Sequence, residues 1–110
     1  MNQEQSLFNK IINEYLDFFP NEKNNLKLAI DQIKNKEQLI YRKNFIGHFT
    51  SSVLVFNPKT KSVLLLYHKV LKKYLQPGGH IEKNEDPLEA AYRELEEETG
   101  LKSHQLNYRP

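Results

Sequence analysis

The chain has 110 residues, enough for one domain with a small helical appendage. It has no cysteine, which excludes disulfides and thiolate metal sites and fits a reducing cytoplasm. A net charge of +2 favours no partner class, the Met-Asn-Gln-Glu-Gln start lacks a basic, apolar signal core, and no apolar run reaches membrane-spanning length. A cytoplasmic protein without a membrane partner is expected.

Gln3 to Phe19 carries Leu7, Phe8, Ile11, Ile12, Tyr15, Leu16 and Phe19 at helical spacing, and Pro20 ends the run. A second helix is expected from about Asn21 to Lys34, with Leu26, Ala29, Ile30 and Ile33 along one side. Together they read as a helical hairpin, and residues 1–44 form a helical N-terminal extension. Its apolar faces need cover from a sheet, a partner subunit or each other. The opposite sides mix acids with lysines and asparagines, which argues against a membrane surface.

From about Phe45 the period changes. Ser52–Phe56 and Ser62–Tyr67 are short, β-prone apolar runs joined by Asn57-Pro58-Lys59-Thr60-Lys61, a hairpin signature. Their continuity predicts that other layers cover both faces. Tyr74-Leu75-Gln76 reads as a further short strand. It enters the bend Gln76-Pro77-Gly78-Gly79-His80, whose glycines let backbone approach a ligand.

A helix follows. Asp86 suits the N-cap, Pro87 the first turn, and Glu89 completes a D-x-x-E capping box. Gly100 stands where a left-handed C-cap belongs. Leu88, Ala91, Tyr92, Leu95 and Thr99 define the expected buried stripe, while Ala90 falls on the acid side. Glu94, Glu97 and Glu98, at i, i+3 and i+4, project together. Three adjacent carboxylates repel one another, which suits ligands of a hard divalent cation such as Mg²⁺ better than fold stabilisers. Glu82, Glu89 and Glu96 are read as surface charges. His48, His68 and His104 show no zinc-ligand spacing.

Gly79 to Leu101 resembles the Nudix box, G-x5-E-x7-R-E-U-x-E-E-x-G-U with U a bulky aliphatic. Gly79, Glu85, Arg93, Glu94, Leu95, Glu97, Glu98, Gly100 and Leu101 fill every specified position. The resemblance implies an α+β chain in which the helical hairpin precedes, over residues 45–110, the N-terminal part of an α/β/α sandwich with a mixed sheet. In the family further strands and a second helix follow the box, and here only Lys102 to Pro110 remain. A shortened domain completed by self-association, a homo-oligomer, is therefore expected, with cover of the sheet by the helical N-terminus as the alternative.

By position, the resemblance implies metal-dependent hydrolysis of a nucleoside diphosphate linked to another moiety. Glu94, Glu97, Glu98 and the Gly78 carbonyl would hold Mg²⁺ or Mn²⁺. Glu94 would also accept a proton from water, Arg93 would orient Glu94, and Glu85 would brace the loop. Gly79, His80 and Lys73 are the candidate substrate contacts. The alternative is a non-catalytic metal- and phosphate-binding or self-associating module.

The charge distribution suits a polyphosphate substrate. Glu82 to Glu98 holds eight of the fourteen acids and only two of the sixteen basic residues, so an acidic cradle sits in a basic body. Lys69, Lys72 and Lys73 lead directly into the glycine loop. Without an RNA-binding motif or stacked aromatic signature, nucleic acid is not an expected partner.

Overall fold

Asn2 opens the first helix, α1 (Gln3–Phe18), by accepting a hydrogen bond from the Gln5 N–H while the Gln5 side chain accepts one from the Asn2 N–H. The computed structural model describes residues 2–109, which divide into two compact units meeting between His48 and Phe49. In the first unit α1 is followed by a 3₁₀ helix (Pro20–Leu26) and α2 (Lys27–Lys34). The second helix is thus shorter than its apolar period implies. Pro20 fixes the entry, and Asn24 and Asn25 are weak α-formers, so the first turns tighten to 3₁₀.

Phe8, Ile12, Ile33 and Leu39 form the apolar core of this unit. Its buried polar groups are bonded. Gln5 Nε2 donates to the Glu37 carbonyl at 3.2 Å, and Gln32 Nε2 to the Gly47 carbonyl at 2.8 Å. The Leu39 N–H donates to Glu4 Oε1 at 2.8 Å, which ties the segment after α2 back to α1.

The second unit contains three antiparallel strand pairs and one long helix. β1 (Thr50–Ser52) pairs with β6 (Gly78–His80), β2 (Phe56–Asn57) with β3 (Ser62–Val63), and β4 (Leu66–His68) with β5 (Lys73–Leu75). The α+β class holds. Among the described residues, three two-stranded antiparallel pairs stand where a continuous mixed sheet is expected. Each long apolar run changes partner partway. The first meets β6 and then β3, and the second meets β2 and then β5.

Cover on both faces of those runs is not seen among the described residues, and only Val53, Val55, Leu64 and Leu66 at alternate positions are half-buried. Leu54, Phe56, Val63, Leu65 and Tyr67 are all exposed. Burial concentrates instead where α3 (Pro87–Thr99) packs on the β1–β6 ribbon, around Pro77, Ile81, Ala90, Ala91 and Leu95. Ala90 is fully buried while Leu88 is exposed, so the packed stripe is rotated toward the acid side of the helix. Among the described residues no helix is long and apolar enough to cross a membrane.

Candidate active site

The site is built at the joint between β6 and α3, and local sequence signals set both ends of the helix. Asp86 is extended and accepts from the Glu89 N–H at 2.8 Å. Gly100 ends the helix at φ 78°, a left-handed conformation that favours glycine. Ser51 Oγ donates to the Pro87 carbonyl at 2.5 Å, fastening the first turn of α3 to β1.

The two glycines of β6 admit the helix. A Cβ on Gly79 would stand 2.7 Å from the Glu94 carboxylate, so the bare backbone is what lets Glu94 lie over the strand. A Cβ on Gly78 would meet the Ser51 carbonyl at 2.5 Å and Ser52 Cα at 2.7 Å. Gly78 therefore allows the close pairing of β6 with β1. Its N–H donates to Glu98 Oε1 at 3.0 Å, a second tie between strand and helix.

Arg93 is the hub. Its Nε and Nη2 grip Glu85 Oε2 and Oε1 at 2.7 and 2.9 Å, and Nη2 also donates to the His80 carbonyl at 2.9 Å. Nη1 donates to Glu94 Oε1 at 3.0 Å and to Glu97 Oε2 at 3.4 Å, and Glu82 Oε1 lies 3.8 Å away. The bidentate contact with Arg93 holds the Glu85 carboxyl below the usual carboxylate range, and the hydrogen bond from the Glu82 N–H adds to this. The same contacts push the Arg93 guanidinium up, so it stays charged.

Four carboxylates on one guanidinium leave a large negative excess. α3 increases it, because its last turn carries no basic residue to offset the negative end of the helix dipole. The carboxylate oxygens and the excess charge both fit a hard divalent cation. The acids face different ways here: Glu94 and Glu97 turn to Arg93, and Glu98 to the Gly78 N–H. Among the described residues, no three acidic or histidine side chains stand grouped for a metal.

Of the sequence candidates, Gly78, Gly79, His80, Glu85, Arg93, Glu94, Glu97 and Glu98 come together at this joint. Lys73 does not. It lies on β5, exposed, and its side chain has no hydrogen bond or ion pair to the cluster among the described residues. Two members were missed. Glu82, read as a surface charge, supplies an N–H to Glu85 Oε1 at 3.0 Å and a carboxylate near Arg93; its i, i+3 spacing from Glu85 was the available signal. Ser51 shows no sequence signal, since its role depends on pairing with a strand far along the chain.

The NUDIX domain profile matches residues 48–110. The chain is 36% identical over 85 residues to an RNA pyrophosphohydrolase of Bartonella henselae, covering 70% of this chain and 46% of that protein. It is 32% identical over 87 residues to a methanol dehydrogenase activator of Bacillus methanolicus, covering 76% and 47%. A probable DHNTP pyrophosphohydrolase of Lactococcus lactis is 43% identical over 52 residues, covering 47% and 30%. The chain thus spans about half the length, or less, of the curated relatives it matches. No solved structure matches it significantly. The full box, its assembly at the β6–α3 joint and the profile match over most of the chain make this protein a member of the Nudix family.

Proposed function

We propose that this chain carries a Nudix-type pyrophosphohydrolase site that cleaves a nucleoside diphosphate linked to another group, with Mg²⁺ or Mn²⁺ held by Glu94, Glu97, Glu98 and the Gly78 carbonyl. The observation that carries this reading is the Glu94 carboxylate, mostly buried, lying against Gly79 and held by Arg93. A cation in this cradle supplies shielding of the phosphate charge and a lowered pKa for bound water.

The chain's own groups do the rest. Glu94 accepts the proton of the attacking water, a step worth roughly 10²–10⁴ in rate. Arg93 fixes the direction of Glu94, and Glu85 fixes Arg93. Gly79 and His80 present the strand to substrate, with Lys73 as a more distant phosphate contact. The names of the pyrophosphohydrolase relatives support a diphosphate bond as the target. The name of the Bartonella relative puts RNA among the substrates to assay.

The finer setting is proposed in the same way. Residues 1–44 act as an extension of the Nudix-like region, the protein works in the cytoplasm, and the uncovered apolar strands favour a homo-oligomer. A second reading, a non-catalytic metal- and phosphate-binding module, draws support from Glu98, whose Oε1 is already engaged by the Gly78 N–H.

Phosphate release from a panel of nucleoside diphosphate derivatives, with and without Mg²⁺, separates the two. Metal-dependent turnover that disappears in Glu94→Gln, with the circular dichroism spectrum retained, is the expected result. Turnover unchanged in that variant rejects the assignment of Glu94, and no turnover of any compound favours the binding module.

A further inference from the structure

From Gln38 to Ile81 the sequence holds no aspartate or glutamate, yet it carries seven lysines and arginines. Five of these, Lys59, Lys61, Lys69, Lys72 and Lys73, fall in the two hairpins of the second unit. The β4–β5 hairpin adds an aromatic pair. Tyr67 and Tyr74 stand directly opposite each other in the ladder, with ring centroids 5.2 Å apart and planes tilted by 58°. Alternation along the strands puts both rings on one face and the His68–Lys73 pair on the other. The rings remain open to solvent, at 52% and 68% exposure.

The tip is shaped around cations. The Leu71 N–H donates to His68 Nδ1 at 3.1 Å, which folds the connection between the strands. Lys72 then closes it in the left-handed region at φ 53°. A turn of this kind favours glycine or asparagine, and here the strained corner is a lysine. Lys61 holds the matching left-handed position beside β3, at φ 53°. Both hairpins therefore carry a positive charge at the corner of the turn.

We propose that the β4–β5 hairpin is a contact surface for single-stranded nucleic acid. Tyr67 and Tyr74 stack bases, and Lys69 and Lys72 meet the flanking phosphates. The chemistry selects this occupant. An exposed ring pair offers a π-face to any base, and a hairpin that carries lysines and no aspartate or glutamate attracts a polyanion, with Val70 and Leu71 also exposed at its tip. Only Gln76 and Pro77 separate β5 from the β6 glycine that reaches Glu98. The inference goes beyond the hydrolase reading and does not rest on it.

Fluorescence anisotropy with labelled oligoadenylate of about 12 nucleotides, as RNA and as DNA, tests the surface with divalent metal chelated, so turnover plays no part. Salt-dependent binding of either strand is expected. The Tyr67→Phe/Tyr74→Phe double variant keeps it, and Tyr67→Leu/Tyr74→Leu weakens it by at least roughly tenfold. Because Phe and Leu both preserve an apolar cross-strand pair, the comparison separates stacking from hairpin folding. Lys69→Ala/Lys72→Ala lowers the slope of log affinity against log salt by about 1.4. Absence of binding to both strands at low salt overturns the proposal, as does binding that the Leu pair leaves intact. Self-association lost in the Leu pair, without oligonucleotide binding, assigns the face to a second copy and overturns it equally.

Discussion

Arg93 holds Glu85 with two parallel hydrogen bonds, at 2.7 and 2.9 Å, and both side chains are largely buried. Geometry of this kind joins a loop to a helix more firmly than a surface ion pair does. Glu85→Gln removes the charge and one acceptor, with an expected loss of about 1–2 kcal/mol in denaturant unfolding. The pH dependence has a definite sign. Because the folded Glu85 titrates below its unfolded value, its contribution is complete above the ordinary glutamate range. It disappears as pH falls through the lowered value. Stability of the Gln variant should therefore decline less steeply on acidification. Arg93 stays charged throughout that window and adds no slope.

The two glycines of β6 predict opposite outcomes from the same substitution. Gly78→Ala drives a methyl into backbone of β1, which cannot move aside cheaply, so a loss of about 1–3 kcal/mol is expected. Gly79→Ala meets only the end of a flexible side chain. Stability should change little, while displaced Glu94 lowers turnover by about 10²-fold. Thermal melts paired with single-turnover assays distinguish the two. A large stability loss in Gly79→Ala with turnover intact contradicts the placement of Glu94.

Helix α3 is stabilised by its ends and opposed by its acids. Asp86→Ala removes the cap to the Glu89 N–H and should cost about 1 kcal/mol. Glu97→Gln removes a negative charge from the negative end of the helix dipole at the price of one long contact to Arg93. Metal-free stability is then expected to stay level or rise by a few tenths of a kcal/mol. A stability loss beyond about 1 kcal/mol in Glu97→Gln would give that side chain a structural role instead.

Much of this joint was legible in the sequence because its signals are local. Asp86, Pro87 and Gly100 punctuate α3 within one stretch of chain, whereas Glu94, Glu97 and Glu98, expected to project together, divide between Arg93 and the Gly78 N–H. The hub around Arg93 was legible only in part. Its hold on Glu94 followed from the family pattern, whereas its grip on Glu85 and its reach to Glu82 and the His80 carbonyl depend on how the loop curls. The strands were least legible. Apolar continuity located the runs that hold β2, β3 and β4 but not β1, and the bend expected at Gln76–His80 contains β6. Nor did it show the partner changes that split each run, or their exposure. The Tyr67–Tyr74 ring pair arises from ladder register, which residues seven apart in sequence do not reveal.

Uptake of a divalent cation by the acids of α3 is the central proposal, and a calorimetric titration of the folded, metal-free chain with Mn²⁺ reads it directly. Saturable binding that is abolished in Glu94→Gln and weakened in Glu97→Gln and Glu98→Gln is the predicted result. A flat titration, or one that the three variants leave unaltered, contradicts it.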